Sequence, residues 1–434
     1  MNILFISNDL IAGNLAYLLK KEGHKVKLYI HYKQHKENFQ NLVEKVNNWR
    51  RELPWVGKNG LIIFDDIGWG KEQEELRKRG FSVFGGSRLG DKLETDREWA
   101  QGIFAKYGMK IEPVFDFKNI SEAIKFVKRH PYAWVIKQND HASKWINFVS
   151  KFEDGRDVLN MLENYKRTVK DEVKKISLQK KIDGIELGCA RYFNGKDWVG
   201  PIEMNIEHKQ FFPDDFGPTT SEMGTLAWYD ENEKENRLFH ETIGRLKPYL
   251  QKIDFRGDIN LNCIINEDGA FPLEATPRFG SPIIHLHSEI HVSPWGEFLK
   301  AVATGRHYKL RYHKGYGIIV LVTVPPFPYV KKLPGNSPYG IDINFSPQFK
   351  KSDRKHVHFE EVSQKSNSDQ LYISDHRGYI LYVTSMGRTV EEAQHKTYSL
   401  AKKIYIPRMF YRNDIGTKFA RKDFRRLKKL GYLP

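Results

Sequence analysis

The chain has 434 residues, of which 40% are hydrophobic and 13% aromatic, a composition typical of globular rather than disordered proteins. Its longest apolar run, 317–324, is far shorter than the roughly 20 residues that cross a bilayer, and the N-terminus lacks the features of a signal peptide. The formal net charge of +16 favours anionic partners such as nucleotides, phosphorylated metabolites or nucleic acid. Two cysteines in no spaced set predict a reducing, cytoplasmic setting.

Residues 1–90 alternate short apolar strands with helical segments. This alternation predicts a parallel sheet with helices on both faces, in which ligands bind beyond the carboxyl ends of the strands. The loops at those ends are Asn8–Gly13 and Asp65–Gly70. Neither loop matches GxGxxG or a P-loop, so the sequence gives little support for phosphate binding there.

The middle of the chain places two lysines around a loop. Residues 133–138 (AWVIKQ) predict a buried strand that carries Lys137, and Lys144 follows beyond a loop at 139–143. The segments 176–182 and 185–193 alternate as strands, whereas the polar stretch 201–224 is predicted to be rich in loops.

Residues 255–282 predict a strand, a tight turn and a return strand followed by a charged loop. Polar residues alternate with apolar ones along the first strand, and the Asp-Gly pair at 268–269 favours a hairpin turn. Facing residues of such strands lie about 5 Å apart, so Asn262 and Glu274 are expected to point at one spot. This oxygen-rich hairpin suits a hard cation that carries phosphate. The alternative is a surface hairpin whose polar face meets water. The polar residues concerned are Asp258, Asn260, Asn262, Glu274, Thr276 and Arg278.

Helices are predicted at 93–107, 283–304 and 389–404, the last with Thr389 as its N-cap. The basic stretch 418–429 is interpreted as a solvated amphipathic helix rather than a nucleic-acid patch.

Three histidines, His285, His287 and His291, raise the question of zinc. Their spacing fits no zinc motif, and a helix turns the first two to different faces. They are therefore predicted to be histidines on the surface of a helix.

A strand lysine, a second lysine beyond a loop, a hinge strand and a hairpin ending in glutamate resemble the layout of an ATP-grasp ligase. Four stretches, 85–106, 208–224, 273–280 and 387–416, are similar to the phosphoribosylamine–glycine ligase family, also called glycinamide ribonucleotide synthetase. The most specific is MGRTVEEAQHKTYSLAKKIYIPRMFYRNDIGTKF near the C-terminus.

The resemblance implies an α/β and α+β architecture. It implies a Rossmann-like N-terminal domain at 1–95, the small and large ATP-grasp subdomains at 96–180 and 181–305, and a mixed α/β C-terminal domain at 306–434.

The resemblance also implies roles for single residues. Lys137, Arg97 and the lid lysine Lys144 would hold ATP phosphates, while Arg278, Lys144, His208 and Lys209 would act at the reaction centre. The implied adenine contacts are Gln179, Lys180 and Ile182, the ribose contact is Glu186, and the metal ligands are Glu274, Thr276 and Asn262.

The implied reaction uses ATP to phosphorylate a carboxylate, after which an amine attacks the acyl phosphate and forms an amide. The expected cofactors are ATP and Mg²⁺ or Mn²⁺. The expected partners are two small molecules, an amino acid and a phosphorylated amine, with no membrane partner and with nucleic acid disfavoured. Phosphoribosylamine and glycine are the first prediction for the substrate pair.

Several positions depart from the family pattern. The lid at 139–145 has no glycine, Thr276 replaces an asparagine, and the first loop, Asn8–Gly13, has one glycine. Ser221-Glu222 stands where the family has paired glycines. These changes concentrate at the substrate positions. A ligase that joins another amino acid or small carboxylate to a phosphorylated amine therefore stays open, as does an inactive or nucleic-acid-binding relative.

Overall fold

A computed structural model describes residues 1–138, 147–168, 176–329 and 337–434. The first part of the chain contains β1 (Asn2–Ser7), α1 (Gly13–Lys21), β2 (Lys25–Ile30), β3 (Glu44–Val46), α2 (Leu53–Val56), β4 (Leu61–Phe64), α3 (Gly70–Lys78), β5 (Val83–Phe84) and α4 (Arg88–Thr95). Its strands form one sheet in the order β3-β2-β1-β4-β5, and each pairing is parallel. The predicted parallel sheet is confirmed, and the loops after β1 and β4 flank its crevice.

A second, smaller sheet follows. Its elements are α5 (Arg97–Lys106), β6 (Val114–Phe117), α6 (Ile120–Arg129), β7 (Trp134–Gln138), β8 (Phe148–Val149), α7 (Arg156–Thr168) and β9 (Ile176–Lys180). The strands pair antiparallel in the order β6-β9-β7-β8. Helices α6 and α7 cover this sheet with a hydrophobic core that contains only residues between Ile120 and Leu178.

The largest sheet has eight strands. The elements of the chain from 185 to 303 are β10 (Ile185–Asn194), β11 (Trp198–Phe212), β12 (Phe216–Asp230), α8 (Arg237–Glu241), α9 (Lys247–Lys252), β13 (Arg256–Asn266), β14 (Gly269–Thr276), α10 (Ile283–Ile290) and α11 (Trp295–Ala303). The remaining elements are β15 (Tyr316–Thr323), β16 (Asp342–Phe345), β17 (Val357–Phe359), β18 (Val362–Gln364), β19 (Leu371–Ile373), β20 (Tyr379–Gly387), α12 (Val390–Ala401), β21 (Ile404–Tyr405) and α13 (Phe424–Lys429). The strands of the large sheet are β10 to β15, β17 and β20.

The order of the large sheet is β14-β13-β10-β11-β12-β15-β20-β17, and a further small sheet has the order β18-β19-β16-β21. Because β12 pairs with β15, the strands of the predicted large subdomain and of the predicted C-terminal domain share one sheet.

The loop-rich interpretation of 201–224 is wrong, because this stretch forms most of the long hairpin of β11 and β12. Its polar residues suggested loops. They instead occupy alternate positions of β11, where one face of the strand is polar and the other apolar.

Two of the predicted helices are each divided in two. The stretch 93–107 is interrupted at Asp96, whose side chain accepts a hydrogen bond from the backbone N–H of Trp99 at 2.9 Å and so begins α5. The stretch 283–304 is interrupted before α11, which begins directly after Pro294. At the start of α12 the predicted Thr389 cap is confirmed, with the N–H of Glu392 donating at 3.2 Å.

The large sheet has one apolar face and one face that carries polar residues. Its apolar face forms a core with α5, α8, α9, α12 and α13. The N-terminal sheet, α11 and the last strands share another core, so the two ends of the chain pack together. No helix of the described residues is long and apolar enough to span a membrane.

Candidate active site on the polar face of the large sheet

The polar face of the large sheet is formed by alternate residues of four adjacent strands. Gly188 of β10 lies opposite both Asn205 and Asn262, which aligns the polar positions across β11, β10 and β13. Asp258 and Asn262 are each only 3% exposed, so the surface-hairpin alternative is wrong. The residues of this face are Glu186, Glu203, Asn205, Glu207, Lys209, Asp258, Asn260, Asn262, Glu274 and Thr276. We call Glu186, Glu207, Lys209, Asn262 and Glu274 the platform.

The predicted hairpin brings Asn262 and Glu274 together. These residues are directly opposite in the register of β13 and β14. The two-residue turn at 267–268 sets the pairing only as far as Cys263 and Pro272, and a bulge with Leu273 as the extra residue then brings Glu274 opposite Asn262. The side chain of Asn260 donates to Asn262 Oδ1 at 3.0 Å and so fixes the orientation of the amide. The predicted juxtaposition of an amide and a carboxylate oxygen is therefore present.

Two cations approach the carboxylate of Glu274. Arg97, in the first turn of α5, lies 3.5 Å from Oε2, and Lys209 of β11 lies 3.6 Å from Oε1. Arg97 and Lys209 come from chain segments more than a hundred residues apart, so packing of α5 against the hairpin creates this contact.

Lys137 of β7 is directed at the same region from the small sheet. Its ammonium donates to Gln179 Oε1 at 2.8 Å, and Gln179 Nε2 donates to the carbonyl of Glu112 at 2.8 Å. Burial lowers the pKa of Lys137 to about 7, and the positive charge of Arg97 lowers it further. A desolvated lysine whose ammonium is bonded to an amide oxygen is suited to an anionic ligand.

Lys209 lies at the centre of the platform. Its ammonium is 2.8 Å from Glu186, 3.0 Å from Glu207 and 3.6 Å from Glu274. Burial opposes its charge, but these three carboxylates raise the pKa of Lys209 well above the ordinary value, so it stays protonated.

Glu207 was missed by sequence reasoning, although a signal for it exists. Polar residues at 203, 205, 207 and 209 recur with the period of two that places side chains on one face of a strand. The loop interpretation of this stretch hid that pattern.

His208 is not part of this group. It follows the opposite face of β11, is 6% exposed, and its Nε2 accepts the backbone N–H of Gly416 at 3.1 Å. Burial lowers the pKa of His208 to about 4, and the nearby Arg412 adds to the effect. The sequence had grouped His208 with Lys209, but neighbouring residues of a strand point to opposite faces.

Arg278 lies beside the platform, at the contact with the N-terminal sheet. Its guanidinium donates to Glu94 Oε1 and to the carbonyl of Phe279, each at 2.9 Å, and is 3.7 Å from Asp66. Burial raises the pKa of Asp66 to about 6, while the Arg278 charge opposes that rise. Arg278 thus links the hairpin to the loop after β4.

Of the remaining predicted residues, Thr276 also lies on the polar face of the large sheet, whereas Lys180 and Ile182 lie outside it. Thr276 ends β14 opposite Asn260, two residues from Glu274. Lys180 is exposed, with its ammonium 4.8 Å from the centre of the Tyr132 ring, and Ile182 is half-buried after β9. Lys144 and the rest of the predicted lid at 139–145 lie outside the described residues.

Glu274 and Asn262 supply some, but not all, of the oxygen ligands that a hard divalent cation needs. Carboxylate and amide oxygens of Glu274 and Asn262 are ligands that Mg²⁺ prefers, and Mg²⁺ bound to phosphate needs only one or two carboxylates from the protein. Within the described ranges, no group of three or more His, Cys, Asp or Glu side chains is arranged to hold a metal ion by itself.

The crevice of the N-terminal sheet is closed by the chain's own carboxyl groups. The N–H of Ala12, before α1, donates to Asp65 Oδ2 at 2.9 Å. The N–H groups of Gly68, before α3, and of Gly70, its first residue, donate to Asp91 Oδ2 at 3.0 and 2.8 Å. Burial raises the pKa of Asp65 to about 8 and that of Asp91 to about 7. Amide groups at these helix starts, where anions commonly bind, are already used.

The prediction of helix-surface histidines is wrong. His285 and His287 are fully buried, because α10 packs between α1 and the strands β12, β15 and β20 of the large sheet. His287 is hydrogen-bonded to the Glu203 carboxylate and lies 2.9 Å from the Tyr192 hydroxyl. These contacts describe a packed polar core, not a zinc centre.

Comparison with known protein families assigns two parts of the chain to the same family. Residues 95–283 match the family description "Phosphoribosylglycinamide synthetase, ATP-grasp (A) domain", and residues 330–418 match "Phosphoribosylglycinamide synthetase, C domain". Phosphoribosylamine–glycine ligase of Clostridium acetobutylicum is 24% identical over 389 residues, with 88% of each chain covered. The Helicobacter pylori enzyme of the same name is 24% identical over 393 residues, covering 88% of this chain and 86% of that protein.

Solved structures share the fold. Phosphoribosylamine–glycine ligase from Thermotoga maritima aligns with a TM-score of 0.71 and 18% identity, over 96% of this chain and all of that one. Biotin carboxylase from Campylobacter jejuni aligns with a TM-score of 0.65 and 13% identity, over 98% and 96% of the two chains. The two family matches cover more than half of the sequence, and the chain belongs to the phosphoribosylglycinamide synthetase family of ATP-grasp ligases.

Proposed function

We propose that the chain joins a carboxylate to an amine in an ATP-dependent reaction that passes through an acyl phosphate. The first substrate pair is the one in the names of its relatives, phosphoribosylamine and glycine, with glycinamide ribonucleotide, ADP and phosphate as products. The observation that carries the proposal is the convergence of Arg97, Lys137 and Lys209 around Glu274.

In this proposal the nucleotide lies between the small sheet and the platform. Arg97 and Lys137 hold its phosphates. Gln179 and Lys180 at the end of β9 and Ile182 just after it form the hinge and meet the adenine, and Glu186 bonds the ribose. Lys144, outside the described residues, remains the predicted lid lysine.

Charge neutralisation is the main catalytic need of phosphoryl transfer. Arg97, Lys137 and Lys209 orient the phosphate oxygens and offset their charge. Glu274, with Asn262 and Thr276 beside it, would hold Mg²⁺, which supplies further positive charge at the transferred phosphoryl group. Arg278, fixed by Glu94 and Asp66, is placed to hold the carboxylate that is activated.

His208 has a different role in the proposal. Because its Nε2 accepts the Gly416 N–H, it positions the C-terminal segment against β11, while its neighbour Lys209 faces the phosphates.

The test measures ADP release and product mass with ATP, Mg²⁺, phosphoribosylamine and each amino acid in turn. We expect ADP release only when both an amine and a carboxylate are present, with glycine preferred. Absence of turnover with all pairs, together with salt-sensitive nucleic-acid binding, would reject the ligase assignment.

A second candidate is a ligase whose amine carries no phosphate. It is favoured by one observation: the backbone N–H groups of both crevice loops are bonded to Asp65 and Asp91, so a phosphate would have to displace these carboxyl groups. The two candidates differ in the same assay. Phosphoribosylamine and its dephosphorylated form are compared with ribose 5-phosphate as a competitor, and inhibition by ribose 5-phosphate supports the first candidate.

A further inference from the structure

Glu222 occupies an irregularity in the β11–β12 hairpin beside Lys209. His208 pairs with Gly224 and Gln210 pairs with Thr219, so one residue of β11 faces four residues of β12. Such a bulge interrupts the alternation of side chains and redirects them, often next to active sites.

The bulge directs Glu222 to the polar face. Its carboxylate accepts a hydrogen bond from the Thr225 hydroxyl, and Thr225 is directly opposite Glu207 in the strand register. Glu222 is 3% exposed, and the adjacent Met223 is fully buried in the core that α10 forms with β12 and β15.

Glu222 lies between the phosphate-facing side of the platform and the loop after the hairpin. On the first side its carboxylate is repelled by Glu207 and attracted by Lys209. Towards the second, its carbonyl accepts the Tyr379 hydroxyl at 3.3 Å, and Tyr382, next to Tyr379, lies 3.4 Å from Ser281. Glu222 therefore lies between Lys209, which the proposed function assigns to the phosphates, and the side of the site that leads to Ser281 in the loop after Arg278.

Among the described residues, the carboxylate of Glu222 forms no ion pair that would fix its charge. Its partner is a hydroxyl, and the nearest lysine, Lys209, is bonded to Glu186 and Glu207. Burial, with repulsion from Glu207, raises the pKa of Glu222 well above the ordinary value, which makes its carboxylate a stronger proton acceptor than an exposed one.

We propose that Glu222 accepts the proton released when the amine attacks the acyl phosphate. This inference rests on the proposed ligase function. The amine nitrogen forms a bond to the carbonyl carbon, the carbon–oxygen bond to phosphate breaks, and phosphate leaves with the electron pair. The N–H proton passes to the Glu222 carboxylate, so the step needs no additional reactant.

The test measures amide and ADP in the same reaction for the wild-type protein and for Glu222→Gln. The amide side chain of the variant still accepts the Thr225 hydroxyl but takes up no proton. We expect amide formation to fall about 100-fold or more, a typical loss for a proton acceptor. ADP formation falls less, because the acyl phosphate still forms and is lost to water, so the ratio of amide to ADP decreases.

A second variant, Glu222→Gly, keeps the test independent of the glutamine side chain. It removes the carboxylate, and added formate is expected to restore part of the amide formation. Glu231→Gln is the matched control, since Glu231 lies just beyond β12 and pairs with Lys314 at 2.8 Å in an exposed position. Both its amide rate and its amide-to-ADP ratio should equal those of the wild type.

An unchanged amide rate in both Glu222 variants overturns the inference. Equal losses of amide and ADP, with no response to formate, also overturn it, because Glu222 would then act before the amine attacks or only in folding. If the wild-type protein itself forms no amide, the proposed function fails and the inference falls with it.

Discussion

Glu274 is held by two cations at once, Arg97 at 3.5 Å and Lys209 at 3.6 Å. We expect Glu274→Gln to lower Mg²⁺-dependent ATP turnover about 100-fold or more, because a neutral amide neither balances these cations nor binds a hard cation well. Turnover is measured over a range of Mg²⁺ concentrations. Glu267→Gln, at the exposed turn of the same hairpin, serves as the control, and retained turnover in Glu274→Gln would contradict the metal assignment.

Lys137 illustrates how a binding residue lowers stability. Its folded pKa of about 7 lies below its ordinary value of 10.5, because burial disfavours the charge. Between these two pH values the unfolded state therefore binds more protons than the folded state. The destabilising effect of Lys137 is greatest below pH 7 and declines as the pH rises. We expect Lys137→Met to raise the free energy of unfolding by about 1–2 kcal/mol at pH 6 and by less at pH 9, while ATP turnover is lost.

The measurement is denaturant unfolding at the two pH values. Lys180→Met is the control, since Lys180 lies on the adjacent strand and is exposed. A stability gain for Lys137→Met that does not depend on pH would show that packing, not charge burial, causes it.

At the scale of elements, Arg412 joins the β11–β12 hairpin to the C-terminal segment. Its guanidinium is 1% exposed and is bonded to Asp414 at 2.7 Å, to Asp215 at 3.2 Å and to the carbonyl of Gln210 at 3.0 Å. We expect Arg412→Met to lower the free energy of unfolding by about 2–3 kcal/mol, less than for a fully buried pair, because Asp215 is 40% exposed.

Denaturant unfolding tests this expectation, with Arg425→Met on an exposed position of α13 as the control. Equal stability of the two variants would mean that the Arg412 contacts add nothing beyond those of a surface arginine. A second readout is the KM for the amine, because a displaced hairpin also moves the bulge at Glu222.

For the whole molecule, a polar group connects the two ends of the chain. His35 lies between Asp9, 2.8 Å from Nε2, and Asp375, 2.6 Å from Nδ1, and Arg377 pairs with Asp9 at 3.1 Å. Burial opposes the His35 charge, but the hydrogen bonds to Asp375 and Asp9 raise its pKa. For the two aspartates burial also opposes the charge, but the hydrogen bond to His35 lowers each pKa.

The directions of these shifts set a pH window. The raised pKa of His35 gives stability that is complete below about pH 6.5 and is lost as the pH rises through the folded pKa. The lowered pKa values of Asp9 and Asp375 give stability that is complete above about pH 3.8 and is lost at lower pH.

We therefore expect His35→Gln to destabilise the protein by about 1–2 kcal/mol at pH 5–6 and by less above pH 8. Thermal unfolding across this range tests the expectation, with the exposed His31→Gln as the control. A loss that is equal at all pH values would contradict the charge-based account.

Much of the architecture was predictable because local patterns encode it. Strand–helix alternation in residues 1–90 predicted the parallel sheet, and the Asp-Gly turn predicted the hairpin. The predicted approach of Asn262 and Glu274 is present, but it depends on a bulge in β14 that the pattern did not reveal. The platform was only partly predictable. Glu207 and the buried histidines were missed because polarity alone does not distinguish an exposed loop from a buried polar face.

Local sequence patterns specify the hairpin turn, the starts of the helices and the family, since each depends on neighbouring residues or on an extended pattern of residue types. Only the tertiary structure decided that Arg97, Lys137 and Lys209 converge on Glu274 and that Asp65 and Asp91 occupy the crevice amides. Strand order and the packing of separate sheets create these contacts, and both depend on interactions between residues far apart in the chain.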